Sequence, residues 1–139
     1  MRPMYENEDD RNAEELARAK LEQAWRCELT KLPMRYHCDW AATRDGIVVG
    51  LVEYKRRKFE KDRYDTTILF AEKVRNTSIL AGACNCFGYY VVEFDDGMFY
   101  LEMDEPPSKI AIGGRRDRGD PQDIGIVYHW PTNRLKQIM

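Results

Sequence analysis

Apolar residues recur along this chain with two different periods, and the changes of period divide it into elements. From Asp10 or Asn12, either able to cap a helix, "AEELARAKLEQAWRCEL" places Ala17, Leu21, Ala24, Trp25 and Leu29 on one helical face, with Leu16 off it. Glu14 falls inside that apolar arc, between Leu21 and Trp25. Arg18 and Glu28 also lie within it, and Glu15 and Glu22 lie at its edge. After Pro33, "MRYHCDWAATRDGIVVGLVEYKRR" reads as two strands around Arg44-Asp45-Gly46. A second helix fits "TTILFAEKVRNTSILAGACN", capped by Asp65 or Thr66 and broken near Asn76. "FGYYVVEF" and "MFYLEMD" form a hairpin across Asp95-Asp96-Gly97, closed by Pro106 and Pro107. Beyond a Gly/Arg/Asp-rich stretch at 113–123, "IGIVYHWP" adds a strand and "TNRLKQIM" a short helix. The predicted order is α-β-β-α-β-β plus a C-terminal strand: a mixed α/β fold with helices flanking a central sheet.

Composition narrows the class. The 139 residues suit a single domain, with the first nine acidic and frayed. No apolar run approaches the ~20 residues of a membrane span, and the start lacks the apolar core of a secretory signal, so a cytoplasmic location is expected. Cys27, Cys38, Cys84 and Cys86 contain no C-x-x-C pair, and "CNC" reads as small thiols at a helix–strand junction. The net charge of −2 provides no general nucleic-acid footprint. Base is nonetheless gathered in "KRRKFEKDR" (55–63) and "GGRRDR" (113–118), two patches suited to phosphate or to solvent. Strand aromatics such as Tyr89, Tyr90, Phe94, Phe99 and Tyr100 are assigned to packing.

The candidate chemistry lies in the first hairpin. Glu53 and Lys55 are two residues apart on a strand and share a face. Whether Asp39 joins them depends on the turn. A two-residue Asp45-Gly46 loop pairs Arg44 with Ile47 and puts Asp39 and Glu53 on opposite faces. A three-residue loop pairs Thr43 with Ile47 and Asp39 with Leu51, which places Asp39 diagonal to Glu53 on its face. In that second register two carboxylates and a lysine meet at a sheet edge. The carboxylates repel unless a hard divalent cation such as Mg²⁺ lies between them. Lys55 is then placed to orient or deprotonate an attacking water, or to stabilise charge on a phosphate. Glu14, costly on an apolar arc, finds a partner either in that site or in Arg18 one turn on.

Asp39, thirteen residues, then Glu53-Tyr54-Lys55, preceded by a helical glutamate, resembles the PD-(D/E)XK nuclease superfamily with its restriction endonuclease-like core. Small phage-encoded members are resembled more narrowly. The stretches concerned are "EELARAKLE", "KLPMRYHCDWAATRDGIVVGLVEYKRR", "YDTTILFAEKV" and "GGRRDRGDPQD", and the likeness covers most of residues 12–131.

The resemblance implies a Mg²⁺-dependent DNA endonuclease, with Mn²⁺ able to substitute, structure-specific or junction-resolving in its choice of substrate. Asp39, Glu53, Glu14 and the Tyr54 carbonyl would hold the metal, with Glu15 and Glu22 as fallback acids, and Lys55 would be the catalytic lysine. Cys38 stands where the motif has proline. Arg57, Lys73, Tyr64, Arg115, Arg116 and Arg118 would grip DNA, and His37 shares the predicted face of Asp39. A homodimer, one site per strand, follows from symmetry and resemblance, in the host cytoplasm if phage-encoded. Two rivals stand beside it: a non-catalytic factor on the same fold that binds DNA or a host protein, and a small structural or interaction domain in which Glu53 and Lys55 are an edge-strand ion pair.

Overall fold

The longest apolar run that also carries the acidic motif, "IVVGLVEYKR", forms the centre of the molecule. In a computed structural model that describes residues 8–33, 36, 38–114 and 124–138, it is the ten-residue strand β3 (Ile47–Arg56). Strand β2 (Trp40–Arg44) pairs with it antiparallel on one side, and β5 (Phe87–Phe94) pairs parallel on the other. A strand enclosed on both edges and both faces needs consecutive apolar residues, and Leu51 to Tyr54 are all buried. With β1 (Glu28–Lys31), β6 (Gly97–Glu102) and β9 (Lys136–Gln137) the sheet has six strands in the order β1-β2-β3-β5-β6-β9. A second sheet has three strands, β4 (Thr66–Phe70), β8 (Ile124–Pro131) and β7 (Lys109–Gly114), in the order β4-β8-β7.

Apolar cores form on both faces of the six-stranded sheet. Helix α1 (Glu8–Trp25) sets Ala17 and Leu21 against Trp40, Val52, Tyr54 and Val91. On the other face, helix α2 (Ala71–Ala83) contributes Val74 to a cluster with Tyr90, Val92, Leu101 and Trp130, the last from the second sheet. The expected mixed α/β architecture with helices flanking a central sheet is therefore present. No helix among the described residues is long and apolar enough to cross a membrane.

Several element boundaries differ from expectation, each for a local reason. Helix α1 starts at Glu8 and stops at Trp25 rather than running on to Leu29. Arg26 takes a left-handed φ of 53°, and Leu29 then lies buried on strand β1. "TTILF" is strand β4, not helix: Thr67 and Leu69 are buried and alternate with half-buried neighbours, a period of two. Helix α2 consequently begins at Ala71, with Phe70 at its N-cap and no side-chain cap from Asp65 or Thr66, and it runs through Asn76 unbroken. Residues 109–114 form strand β7 against β8, and β8 belongs to the second sheet. At the C-terminal end a short 3-10 helix (Thr132–Arg134) and β9 replace the expected helix, because Leu135 turns inward and the Ile138 N–H reaches the Met98 carbonyl at 2.8 Å.

Candidate active site

The first hairpin combines features of both predicted registers. Its turn is the two-residue Asp45-Gly46 loop, with φ of 55° and 78°, and Arg44 pairs with Ile47. Continued without interruption, that ladder would turn Asp39 away from Glu53. Instead, a β-bulge follows Thr43↔Val48. The next pair is Ala42↔Gly50, so Val49 is the extra residue, and the register proceeds through Ala41↔Leu51 to Trp40↔Val52. Extended by one step, it sets Asp39 opposite Glu53. The backbone holds Asp39 there: its N–H donates to the Val52 carbonyl at 2.9 Å, and its Oδ2 accepts the Tyr54 N–H at 2.7 Å.

Glu53 is 1% exposed and its environment is unusual for a carboxylate. Oε1 has Lys73 Nζ at 3.3 Å, reaching in from α2, and Lys55 Nζ at 3.7 Å. Oε2 is buried without a hydrogen-bond partner. Burial first, and then the Asp39 charge, push the Glu53 carboxyl up to about 7 against the pull of the two lysines. One carboxylate oxygen without a donor, under the charge of a second carboxylate, is an acceptor set short of a cation. Hard oxygen donors of this kind fit a divalent ion such as Mg²⁺. Asp39 and Glu53 would hold it. The Tyr54 carbonyl points to the same strand edge as its N–H, the edge Asp39 occupies.

Glu14 reaches the site indirectly. It is buried on α1, as its place in the apolar arc required, but its partner is Lys31, whose Nζ donates to Glu14 Oε1 and lies 3.6 Å from Asp39 Oδ1. Arg18, the alternative partner, pairs with Glu15 at 2.7 Å and Glu22 at 3.6 Å. The fallback acids are thus engaged elsewhere, and Glu22 also caps the Leu29 N–H at 2.9 Å. Among the described residues no three His, Cys, Asp or Glu side chains gather closely enough to hold a metal ion, and the Lys31 ammonium links Glu14 to Asp39. The sequence pattern does not single out Lys31, because helical spacing runs through Leu29 and conceals strand β1. Read as a strand, it stands two residues after buried Leu29, on the face turned to α1.

The Tyr54 side chain lies on the opposite face, stacked near Trp40 and donating to Glu93 Oε1 at 2.7 Å. Arg57 continues the Glu53–Lys55 face, with its N–H on the Glu93 carbonyl and Nη2 3.3 Å from the Ile68 carbonyl. It lines a cavity that Tyr64 also borders. Cys38, in the proline position of the motif, is buried beside Leu51 and Ala81, and burial above all pushes its thiol up to about 12. All four cysteines are free thiols. His37, Arg115, Arg116 and Arg118 lie outside the described residues.

Comparison with known proteins bears on the fold and the family. No curated protein sequence matches the chain significantly. Among solved structures the fold is similar to that of Archaeoglobus fulgidus Hjc, a Holliday junction resolvase from an archaeal hyperthermophile. The TM-score is 0.59 at 12% identity, with 91% of this chain and 92% of that one covered. At that identity the likeness establishes the restriction endonuclease-like fold. The family model described as "Phage putative PDDEXK endonuclease" matches residues 1–138, and the chain belongs to that family.

Proposed function

We propose that the protein is a Mg²⁺-dependent DNA endonuclease that hydrolyses phosphodiester bonds and acts on branched or junction DNA as a homodimer. One observation carries the reading: buried Glu53, with one oxygen on two lysines and the other without a donor, stands opposite Asp39 across a bulged hairpin. A divalent cation bound there supplies neutralisation of the two carboxylates and activation of a water. The chain's own residues do the rest. Asp39 is locked by the Tyr54 N–H on Oδ2, so its Oδ1, 3.6 Å from Lys31 Nζ, keeps a fixed direction. Lys55, at the partly exposed end of the face, is placed to take a proton from the attacking water or to stabilise charge on the phosphate. Lys73 offers a second ammonium beside it, and Arg57 and Tyr64 extend the grip along the backbone. Membership of a PDDEXK endonuclease family and the fold of a junction resolvase support this assignment.

The test is direct. The wild type is incubated with Mg²⁺ or Mn²⁺ and linear, nicked, single-stranded and four-way-junction DNA, beside Lys55→Ala. The wild type should cut, and Lys55→Ala should lose about 10²–10⁴-fold in rate with its melting temperature unchanged. Undiminished cleavage by the variant would defeat the assignment. A second reading, a non-catalytic DNA- or host-protein-binding factor, draws on the engagement of Glu14 by Lys31 rather than by the other two acids. It predicts DNA binding without cutting under every metal.

A further inference from the structure

The face of β3 that carries Glu53 and Lys55 runs on to Arg57, and there it opens into a cavity of about 350 Å³. Its walls are of two kinds. Phe59 packs edge-on to Tyr64 at 5.1 Å and tilted against Phe94 at 5.9 Å, a continuous aromatic wall. Tyr64 as a residue remains 55% exposed, with the Arg63 guanidinium 5.7 Å over its ring, so part of its side chain is accessible at the cavity's border. Polar groups line it too: the Arg57 guanidinium, held at 3.3 Å by the Ile68 carbonyl, and the Thr66 hydroxyl on His129 Nδ1 at 2.9 Å. Lys61 adds a second cation, with Asp62 3.2 Å from its Nζ. In a chain with 24 acidic and 22 basic residues, the cavity is lined by two cations and, among the described residues, by no carboxylate.

An apolar ligand would leave the guanidinium without use, and a bare phosphate would leave the aromatic wall without use. A planar, hydrogen-bonding ring tethered to an anion uses both, and that is a nucleotide whose base has left the helical stack. Arg57 lies four residue steps beyond Glu53, just past the end of β3, about 13 Å at the rise of a strand. The occupant is therefore a neighbour of the nucleotide being cut, not that nucleotide itself. We infer that this cavity receives an unpaired base of the DNA substrate next to the scissile phosphate, and so directs the protein to branched or gapped DNA over continuous duplex. A base already unpaired enters without the cost of breaking a pair, which is the source of the preference. The inference rests on the nuclease reading above and adds to it the feature of the DNA that is recognised.

Fluorescence titration with two duplexes tests it, in Ca²⁺ in place of Mg²⁺. The duplexes are identical except that one 2-aminopurine is paired in the first and unpaired in the second. The wild type should bind the unpaired duplex about tenfold more tightly, with the probe quenched by stacking. Tyr64→Ala removes the open ring and Thr66→Phe narrows the space, so each should bring the ratio of the two affinities close to one, with melting curves verifying the fold. Equal affinity of the wild type for both duplexes, or a preference that survives both variants, overturns the inference. Mg²⁺-dependent cutting without that preference would leave the nuclease reading standing alone, and failure to bind either duplex would overturn both.

Discussion

The two hairpins of the large sheet begin from the same local chemistry and end in different roles. Both turn on two residues next to an Asp-Gly step, Asp45-Gly46 between β2 and β3 and Asp95-Asp96 between β5 and β6. The second keeps one uninterrupted register from Phe94↔Gly97 to Tyr89↔Glu102 and devotes its faces to the cores, with Met98 on one side and Phe99 and Leu101 on the other. The first inserts Val49 as a bulge, and that single residue rotates everything beyond it by half a period. Asp39 thereby comes to share a face with Glu53. The regular hairpin builds stability, and the irregular one accepts an electrostatic cost by bringing Asp39 onto the face of Glu53.

Substitutions at matched places should separate the two roles. In the bulged hairpin, Asp39→Asn keeps an acceptor for the Tyr54 N–H but removes the charge. Cleavage of junction DNA should fall at least about 100-fold while melting changes by little more than the ~1 kcal/mol of an ordinary hydrogen bond. In the regular hairpin, Phe99→Ala empties a buried aromatic site and should cost about 3–5 kcal/mol in denaturant unfolding. Its cleavage rate per folded molecule should be unchanged. If both variants lost stability and activity together, the division would be false.

A smaller effect concerns pH. The Glu53 carboxyl is raised from its ordinary 4.5 to about 7, so the native state holds that proton more tightly than the unfolded chain does. Its contribution to the stability of the metal-free protein is full below about 4.5 and declines as pH rises to about 7, beyond which the slope vanishes. Thermal melting between about pH 5 and 8 in a chelator should show this decline in the wild type and a flatter profile in Glu53→Gln. Identical profiles would mean that Glu53 does not carry the cost. Smallest is the turn itself. Gly46→Ala places a side chain at φ 78° and should lower stability by roughly 1–2 kcal/mol, with cleavage retained because the bulge lies beyond it.

The sequence exposed those parts of the site that depend on one element alone. Glu53 and Lys55 share a face through the two-residue period of β3, and Glu14 stood out as a carboxylate within an apolar arc. What required two elements was ambiguous or hidden. The facing of Asp39 depends on Val49, a valine among valines whose bulge no composition marks. Lys31 was hidden because Leu29 satisfies helical spacing from Trp25 and also strand burial, and only the left-handed Arg26 decides between them. Strand β4 ran into α2 because "TTILFAEKV" has no glycine or proline between its two periods. Lys73, expected as a contact beside the site, instead lies within ion-pair distance of Glu53 itself, since starting α2 at Ala71 rather than within 66–70 sets its first turn over β3.

The central claim, that the bulge brings Asp39 and Glu53 together to hold a divalent cation, is tested most directly by isothermal titration of Mn²⁺ into the wild type, Asp39→Asn and Glu53→Gln at pH 8. The wild type should bind Mn²⁺, and each single variant should weaken that binding at least about tenfold, a loss of ~1.4 kcal/mol or more. Binding that is unchanged in both variants, or absent from the wild type, would contradict it.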